Sequence, residues 1–123
     1  MTDEHHLLLA YTNALPGREA DFDAWWDEHH LPEVLAVPGM VRGQRFRYSA
    51  EQIRLPAGAP QPAPMPHFEH LTVYEIRGPL DVTLAGLKAG RESGEICSTD
   101  TLDPVANRGL LYTAHRRPLD AGR

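Results

Sequence analysis

The chain carries one cysteine, Cys97, in 123 residues. It can form no intrachain disulfide, and such sparing use of thiols is expected of a protein kept in a reducing cytoplasm. Nothing flanking Cys97 lowers a thiol pKa, so it reads as a bystander rather than a nucleophile. No apolar run approaches the roughly 20 residues of a membrane span, and the opening MTDEHH is polar and acidic, unlike a secretory signal. Net charge is −5 and the basic residues are scattered. Arg108, Arg116, Arg117 and Arg123 near the C-terminus are too few for a nucleic-acid footprint. The expectation is therefore no nucleic acid and no membrane among the partners. There is no C-x-x-C and no H-x-x-x-H; His5-His6 and His29-His30 are adjacent and diverge, and His67 and His70 fall on opposite faces of a strand. No metal site is expected. A Gly-rich phosphate loop, a G-x-S-x-G elbow and a dinucleotide fingerprint are all missing, and no cofactor is expected.

What remains is a chain long enough for one domain, residues 1–123, with one modest core, 41% hydrophobic and 24% charged. Aromatic residues are only 7% of the chain, yet both tryptophans and two of the seven histidines fall in the six residues Trp25–His30. Trp supplies a large apolar wall, and His titrates near neutral pH. Side by side, they point to a pocket with an acid/base group at its edge.

Four strands and two helices are expected. The first strand, His5–Asn13, alternates Leu7, Leu9 and Tyr11 against Leu8 and Ala10, apolar on both faces as in a central strand. A helix follows from about Arg18, its early acidic residues Glu19, Asp21 and Asp23 suited to the helix dipole. Phe22, Trp25, Trp26 and His29 follow the i, i+3, i+4, i+7 spacing and form one stripe, with His30 about 80° from Phe22 at ~100° per residue. Pro32 is expected to end or kink this helix near His30, with a further short turn over Glu33–Val37. Pro38-Gly39 opens a second strand, Met40–Tyr48. Residues 49–66 carry five prolines and one glycine and read as a loop, either a lid or a surface insertion. The third strand, His67–Ile76, puts Phe68, His70, Thr72, Tyr74 and Ile76 on one face and Glu69, Leu71, Val73 and Glu75 on the other. A second helix, Leu80–Glu92, is expected to bury Val82, Leu84 or Ala85, and Leu87 or Lys88, and is weakened by Gly86 and Gly90. Residues 93–107 read as irregular, Gly109–Arg116 as the last strand, and 117–123 as a frayed tail.

This order, βαββαβ, gives an α+β, ferredoxin-like arrangement: a four-stranded antiparallel sheet with both helices on one face. The open face needs cover, and a second copy of the chain, sheet to sheet about a two-fold axis, is the simplest cover.

The run G-R-E-x-D-F-x-x-W-W-x-E-H-H-L-P-x-V-L-x-V-P-G, followed by R-F, resembles the EthD-like branch of the dimeric α+β barrel superfamily. Its pattern falls here on Phe22, Trp25, Trp26, His30, Pro32, Pro38-Gly39, Arg45 and Phe46, with Trp26 and Phe46 standing where the pattern has tyrosine; Tyr74 also fits. The match covers residues 7–48 well and 67–77 loosely. The resemblance implies a dimeric α+β barrel of a superfamily that includes cofactor-free monooxygenases, polyketide cyclases, muconolactone isomerases, dehydratases, decarboxylases and some haem proteins. Fold does not choose among them.

The residues themselves narrow the chemistry. His30 is the leading acid/base candidate, and a place near a helix C-terminus would favour its protonated form; otherwise it caps helix carbonyls. Tyr74 and His70 share a strand face: turned to the helices, they join His30 over an apolar floor suited to enolising a carbonyl compound, and turned outward they are interface groups. His29 is either a satisfied core histidine or part of the pocket. Phe22, Trp25 and Trp26 form core or pocket wall, and Tyr11 and Asn13 are weaker candidates for substrate contact. Arg45 either forks onto a substrate anion or pairs with a surface carboxylate. The expected activity is cofactor-independent proton transfer (isomerase, cyclase, dehydratase or decarboxylase) on a hydrophobic, aromatic or polyketide-like carbonyl compound. A cofactor-free monooxygenase and a non-catalytic ligand- or haem-binding dimer are the alternatives.

Overall fold

A computed structural model of the chain describes residues 4–122; residues 1–3 of the acidic N-terminal segment and Arg123 of the tail lie outside the described residues. The elements are β1 (His5–Ala14), α1 (Glu19–Trp25), a wide π-helical turn (Trp26–His30), α2 (Leu31–Leu35), β2 (Met40–Arg47), β3 (His70–Arg77), α3 (Leu80–Ser93) and β4 (Leu102–Thr113). The strands form one antiparallel sheet in the order β2-β3-β1-β4, the ferredoxin-like arrangement. β1 is central, as its two apolar faces require.

Opposed residues of an antiparallel pair share a face. Leu8 opposite Tyr74, and Ala10 opposite Thr72, therefore look the same way, and that way is toward the helices. There His70, Thr72, Tyr74 and Ile76 are all buried. The core sits between this face and the helices: Val34, Val37, Leu87 and Ile96 close on Tyr74, with Leu8, Ala10, Leu31, Leu35 and Met40 around them. On the opposite face stand Leu7, Leu9, Tyr11, Leu71 and Val73, with Leu110 and Tyr112 of β4 opposite Leu9 and Leu7.

Pro32 does not end the first helix. The backbone stays helical from Glu19 to Leu35, and Leu31 N–H donates to the Trp26 carbonyl, five residues back instead of four. A proline ring collides with the carbonyl four residues before it; the wide turn just ahead of Pro32 gives that ring room. The same turn changes which residues face inward. The inward stripe is Phe22, Trp26 and Val34, all buried, with half-buried His30 among them, while His29 is exposed, not a core histidine. In a regular helix a spacing of four overshoots a full turn by about 40° each time, so three steps would drift ~120°. One extra residue in the turn cancels that drift.

Three further expectations are corrected. β4 begins at Leu102, not Gly109; Pro104 and the polar residues around it mask an edge strand, where a missing N–H costs no ladder bond. α3 buries Thr83 and Leu87, while Val82 and Leu84 are exposed. Its glycines make it close-packing: a Cβ at Gly86 would lie 2.8 Å from Val37 Cγ1, and one at Gly90 2.7 Å from Ile96 Cδ1. β3 starts at His70, and no strand or helix occurs over residues 48–69 or 114–122. Among the described residues no helix is long and apolar enough to cross a membrane.

Candidate functional site

The π turn delivers His30 into an aromatic stack. Its ring lies 4.7 Å from Trp25, nearly parallel, and 4.5 Å from Trp26, tilted at 60°. Trp26 packs on Phe22 at 5.2 Å, and Phe22 packs on His70 at 4.9 Å. The two histidines thus stand at opposite ends of one aromatic row and open on different cavities.

The His30 cavity has a volume of about 160 Å³ and lies between the sheet and the helices. Its apolar lining comes from Leu8, Ala10, Val34, Leu87 and Leu102; its polar lining comes from Thr12, Trp26, His30, Tyr74, Arg91, Asn107 and Arg108. Four of these polar groups have buried atoms with no hydrogen-bond partner: His30 Nδ1, the Tyr74 hydroxyl, Trp26 Nε1 and Thr12 Oγ1. Buried polar atoms are ordinarily paired, since leaving one unpaired costs about 1–3 kcal/mol. Four converging on one void make it a place for a polar ligand atom.

Burial dominates the electrostatics. It pushes the His30 imidazole down from 6.5 to about 4; the Arg91 charge adds to the shift and Glu33 opposes it. The helix does not end at His30, so no helix C-terminus favours the imidazolium, and the ring is neutral at neutral pH. Burial likewise pushes the Tyr74 phenol well above its ordinary range; the Trp26 indole N–H, close to the hydroxyl but outside good hydrogen-bond geometry, and the charges of Arg45 and Arg91 pull partly the other way. Near pH 7 the cavity therefore holds a neutral imidazole with a free lone pair and an O–H donor that keeps its proton.

His70 belongs elsewhere. Four residues along a strand place it about 13 Å from Tyr74 at ~3.3 Å per residue. It opens on a second cavity of about 260 Å³ with Asp23, Asp27, Arg45, Phe46 and Arg47. Arg45 Nη2 lies 3.2 Å from His70 Nδ1; a guanidinium only donates, so Nδ1 accepts and the ring proton sits on Nε2. Burial first, then Arg45, lowers the His70 pKa. Arg45 also bonds Asp23 at 2.8 Å and Asp27 at 2.9 Å, so it takes the surface-pairing role and does not reach the His30 cavity.

The other expected contacts divide. Phe22 is fully buried behind Trp26, and Trp25 backs His30 without lining the void. Tyr11 borders the cavity and packs on Phe68 at 5.5 Å. Asn13 is spent on structure: its amide donates to the His67 carbonyl, and its oxygen accepts from Glu69 N–H. His29 is exposed and borders no cavity described above. Cys97 is exposed, and Glu33 raises its thiol pKa. Sequence reasoning passed over Arg91 and Arg108. Nothing local distinguishes them from other surface arginines; the packing of α3 brings Arg91 to this void, while Arg108, opposite Tyr11, borders it from β4 with its guanidinium over Phe68.

No family model matches the chain, and no curated protein matches it. Among solved structures, it is similar to the crystal structure of an ethyl tert-butyl ether D (EthD) family protein from Bacillus halodurans C-125. The two are 14% identical, with 93% of this chain and 99% of that chain covered and a TM-score of 0.48. The fold assignment rests on the strand order and helix placement described above.

Proposed function

We propose that the protein is a cofactor-independent enzyme that moves a proton on a small hydrophobic carbonyl compound of aromatic or polyketide type. The supporting observation is the group of unpartnered polar atoms of His30, Tyr74, Trp26 and Thr12 around one apolar void. His30 Nδ1 takes a proton from the carbon next to the carbonyl. The Tyr74 O–H and Trp26 N–H donate to the carbonyl oxygen as negative charge develops on it. A base with a pKa of about 4 is weak in the empty site. An enolate oxygen forming in the same poorly solvated cavity raises its proton affinity as the reaction proceeds. Return of the proton to another carbon gives an isomerase; its transfer from His30 to a β-hydroxyl that leaves as water, with the C=C bond formed from the enolate, gives a dehydratase and restores the neutral imidazole.

The test is exchange of α-hydrogens for deuterium in D₂O, followed by proton NMR on a panel of aryl ketones and β-dicarbonyl compounds. His30→Gln is expected to slow enzymic exchange about 10²–10⁴-fold. Tyr74→Phe is expected to slow it about 10²–10³-fold without loss of fold, since it removes a hydroxyl that has no partner. A folded His30→Gln protein that exchanges as fast as the wild type overturns the assignment.

We also propose that a second copy covers the other sheet face. β1 is hydrogen-bonded on both edges, yet presents Leu7, Leu9 and Tyr11 away from the helices. Leu110 (41% exposed) and Tyr112 (55% exposed) extend that apolar surface, and Phe46 (44% exposed) borders it.

A further inference from the structure

We propose that Thr12 is a specificity residue of the His30 cavity and selects a carbonyl compound that carries a second polar group, a hydroxyl; this rests on reading the cavity as the reaction site. The strand register shows how the void is built. Ala10 stands opposite Thr72 and Thr12 opposite His70, so Leu8, Ala10 and Thr12 all face the helices. On the edge strand, Gly109 stands opposite Ala10 and Asn107 opposite Thr12, and they share that face. Leu8, Ala10, Thr12, Asn107 and Gly109 all line the void. Its floor is set by the small pair Ala10 and Gly109, where an added Cβ at Gly109 would meet only Leu8 Cδ1 within 4 Å, at 3.8 Å. That leaves room for a flat ring over the floor. Leu8 and the Tyr74 opposite it mark one end of the floor, and Thr12 with Asn107 marks the other. Along β1 these ends are four residues apart, about 13 Å at ~3.3 Å per residue.

The Thr12 end has no task in the proton transfer. Thr12 is 5% exposed, and its hydroxyl has no hydrogen-bond partner among the described residues. Valine would fill the same space with no polar atom to leave unpaired, so a lone buried threonine costs about 1–3 kcal/mol until a ligand pairs it. Asn107 is exposed at the rim beside it; its amide nitrogen donates to the Asp103 carbonyl at 3.1 Å, which leaves Oδ1 as an acceptor. A hydroxyl suits the two together: its oxygen accepts from Thr12, and its hydrogen goes to Asn107 Oδ1. A carbonyl would pair with Thr12 alone, and a carboxylate would set a second acceptor against the Asn107 oxygen. Thr72 supplies the contrast. It is fully buried and its hydroxyl is equally unpartnered, but it lines neither cavity.

The probes are acetophenone and its 3- and 4-hydroxy derivatives. The readout is the NMR shift of the Trp26 indole N–H, which lines the void and has no partner there. The better hydroxylated ketone is expected to bind the wild type about tenfold tighter than acetophenone, the scale of one added hydrogen bond. Thr12→Val should remove most of that preference and leave acetophenone binding unchanged. Asn107→Ala, at an exposed position, should lower it in part, and Thr72→Val should keep it whole. Thr12→Val deletes a hydroxyl without a partner, so the fold is retained, and urea unfolding checks this. Equal affinities in the wild type, a preference that survives in Thr12→Val, an equal loss in Thr72→Val, or no shift with any of the three ketones overturns the inference. Exchange of the α-hydrogens of acetophenone by wild type and His30→Gln needs no hydroxyl at the Thr12 end, so the proton-transfer reading falls only on that separate test.

Discussion

At the scale of the residue, His30 sets the behaviour of the site. Its folded pKa of about 4 lies below the ordinary 6.5 because burial disfavours the imidazolium. Between those two values the unfolded chain binds a proton that the folded chain refuses. The corresponding stability is present in full above about pH 6.5 and is lost as pH falls toward 4, a difference of at most ~3 kcal/mol. Urea unfolding at pH 7, 5.5 and 4.5 should show this loss, and His30→Gln should flatten it; an identical slope in the variant contradicts the buried imidazole. Part of the lining of this candidate site was legible in the sequence. His30, Trp26 and Tyr74 carry side chains whose chemistry marks them wherever they stand. His70 and Arg45 have equally suitable chemistry but were expected in the wrong company. Alternation along β3 tells which face a residue takes and not which void that face opens on four residues further along. Arg91, which α3 brings to the cavity, carried no local mark at all.

At the scale of the element, the first helix shows why periodicity failed by one residue. Counting at 3.6 residues per turn puts His29 inward, and the sequence also contains the four-residue ladder Phe22–Trp26–His30–Val34 that only a widened turn can hold on one face. The presence of Pro32 was readable, but its consequence, a wider turn rather than a break, depends on the helix being pressed against the sheet on both sides of the proline. Glycine in α3 was read as weakness and is packing. Replacing Gly86 by Ala gains about 1 kcal/mol in helix propensity but sets a methyl 2.8 Å from Val37 Cγ1. Overpacking of that kind costs ~1–3 kcal/mol. Gly86→Ala should therefore lose about 1 kcal/mol net in denaturant unfolding; a gain of the helix-propensity amount would show that Val37 yields freely.

At the scale of the whole molecule, the ferredoxin-like order was readable because turn signals separate strongly patterned segments, and because a strand apolar on both faces belongs in the middle of a sheet. The extent of β4 was not, since an edge strand needs neither continuous apolar residues nor every backbone donor. The apolar surface of Leu7, Leu9, Tyr11, Leu110 and Tyr112 leads to a dimer as the expected solution state. Sedimentation should give twice the 13.7 kDa chain mass. Leu110→Glu, a charge on an exposed position, should return a folded monomer; a monomeric wild type at tens of micromolar contradicts it. The claim that joins the three scales is that one neutral imidazole is enclosed beside the Tyr74 phenol. It is tested most directly by an NMR pH titration of the histidine rings, with His30 assigned by its loss in His30→Gln. The account predicts a His30 midpoint near 4; a midpoint at the ordinary solvent value of about 6.5 would contradict it.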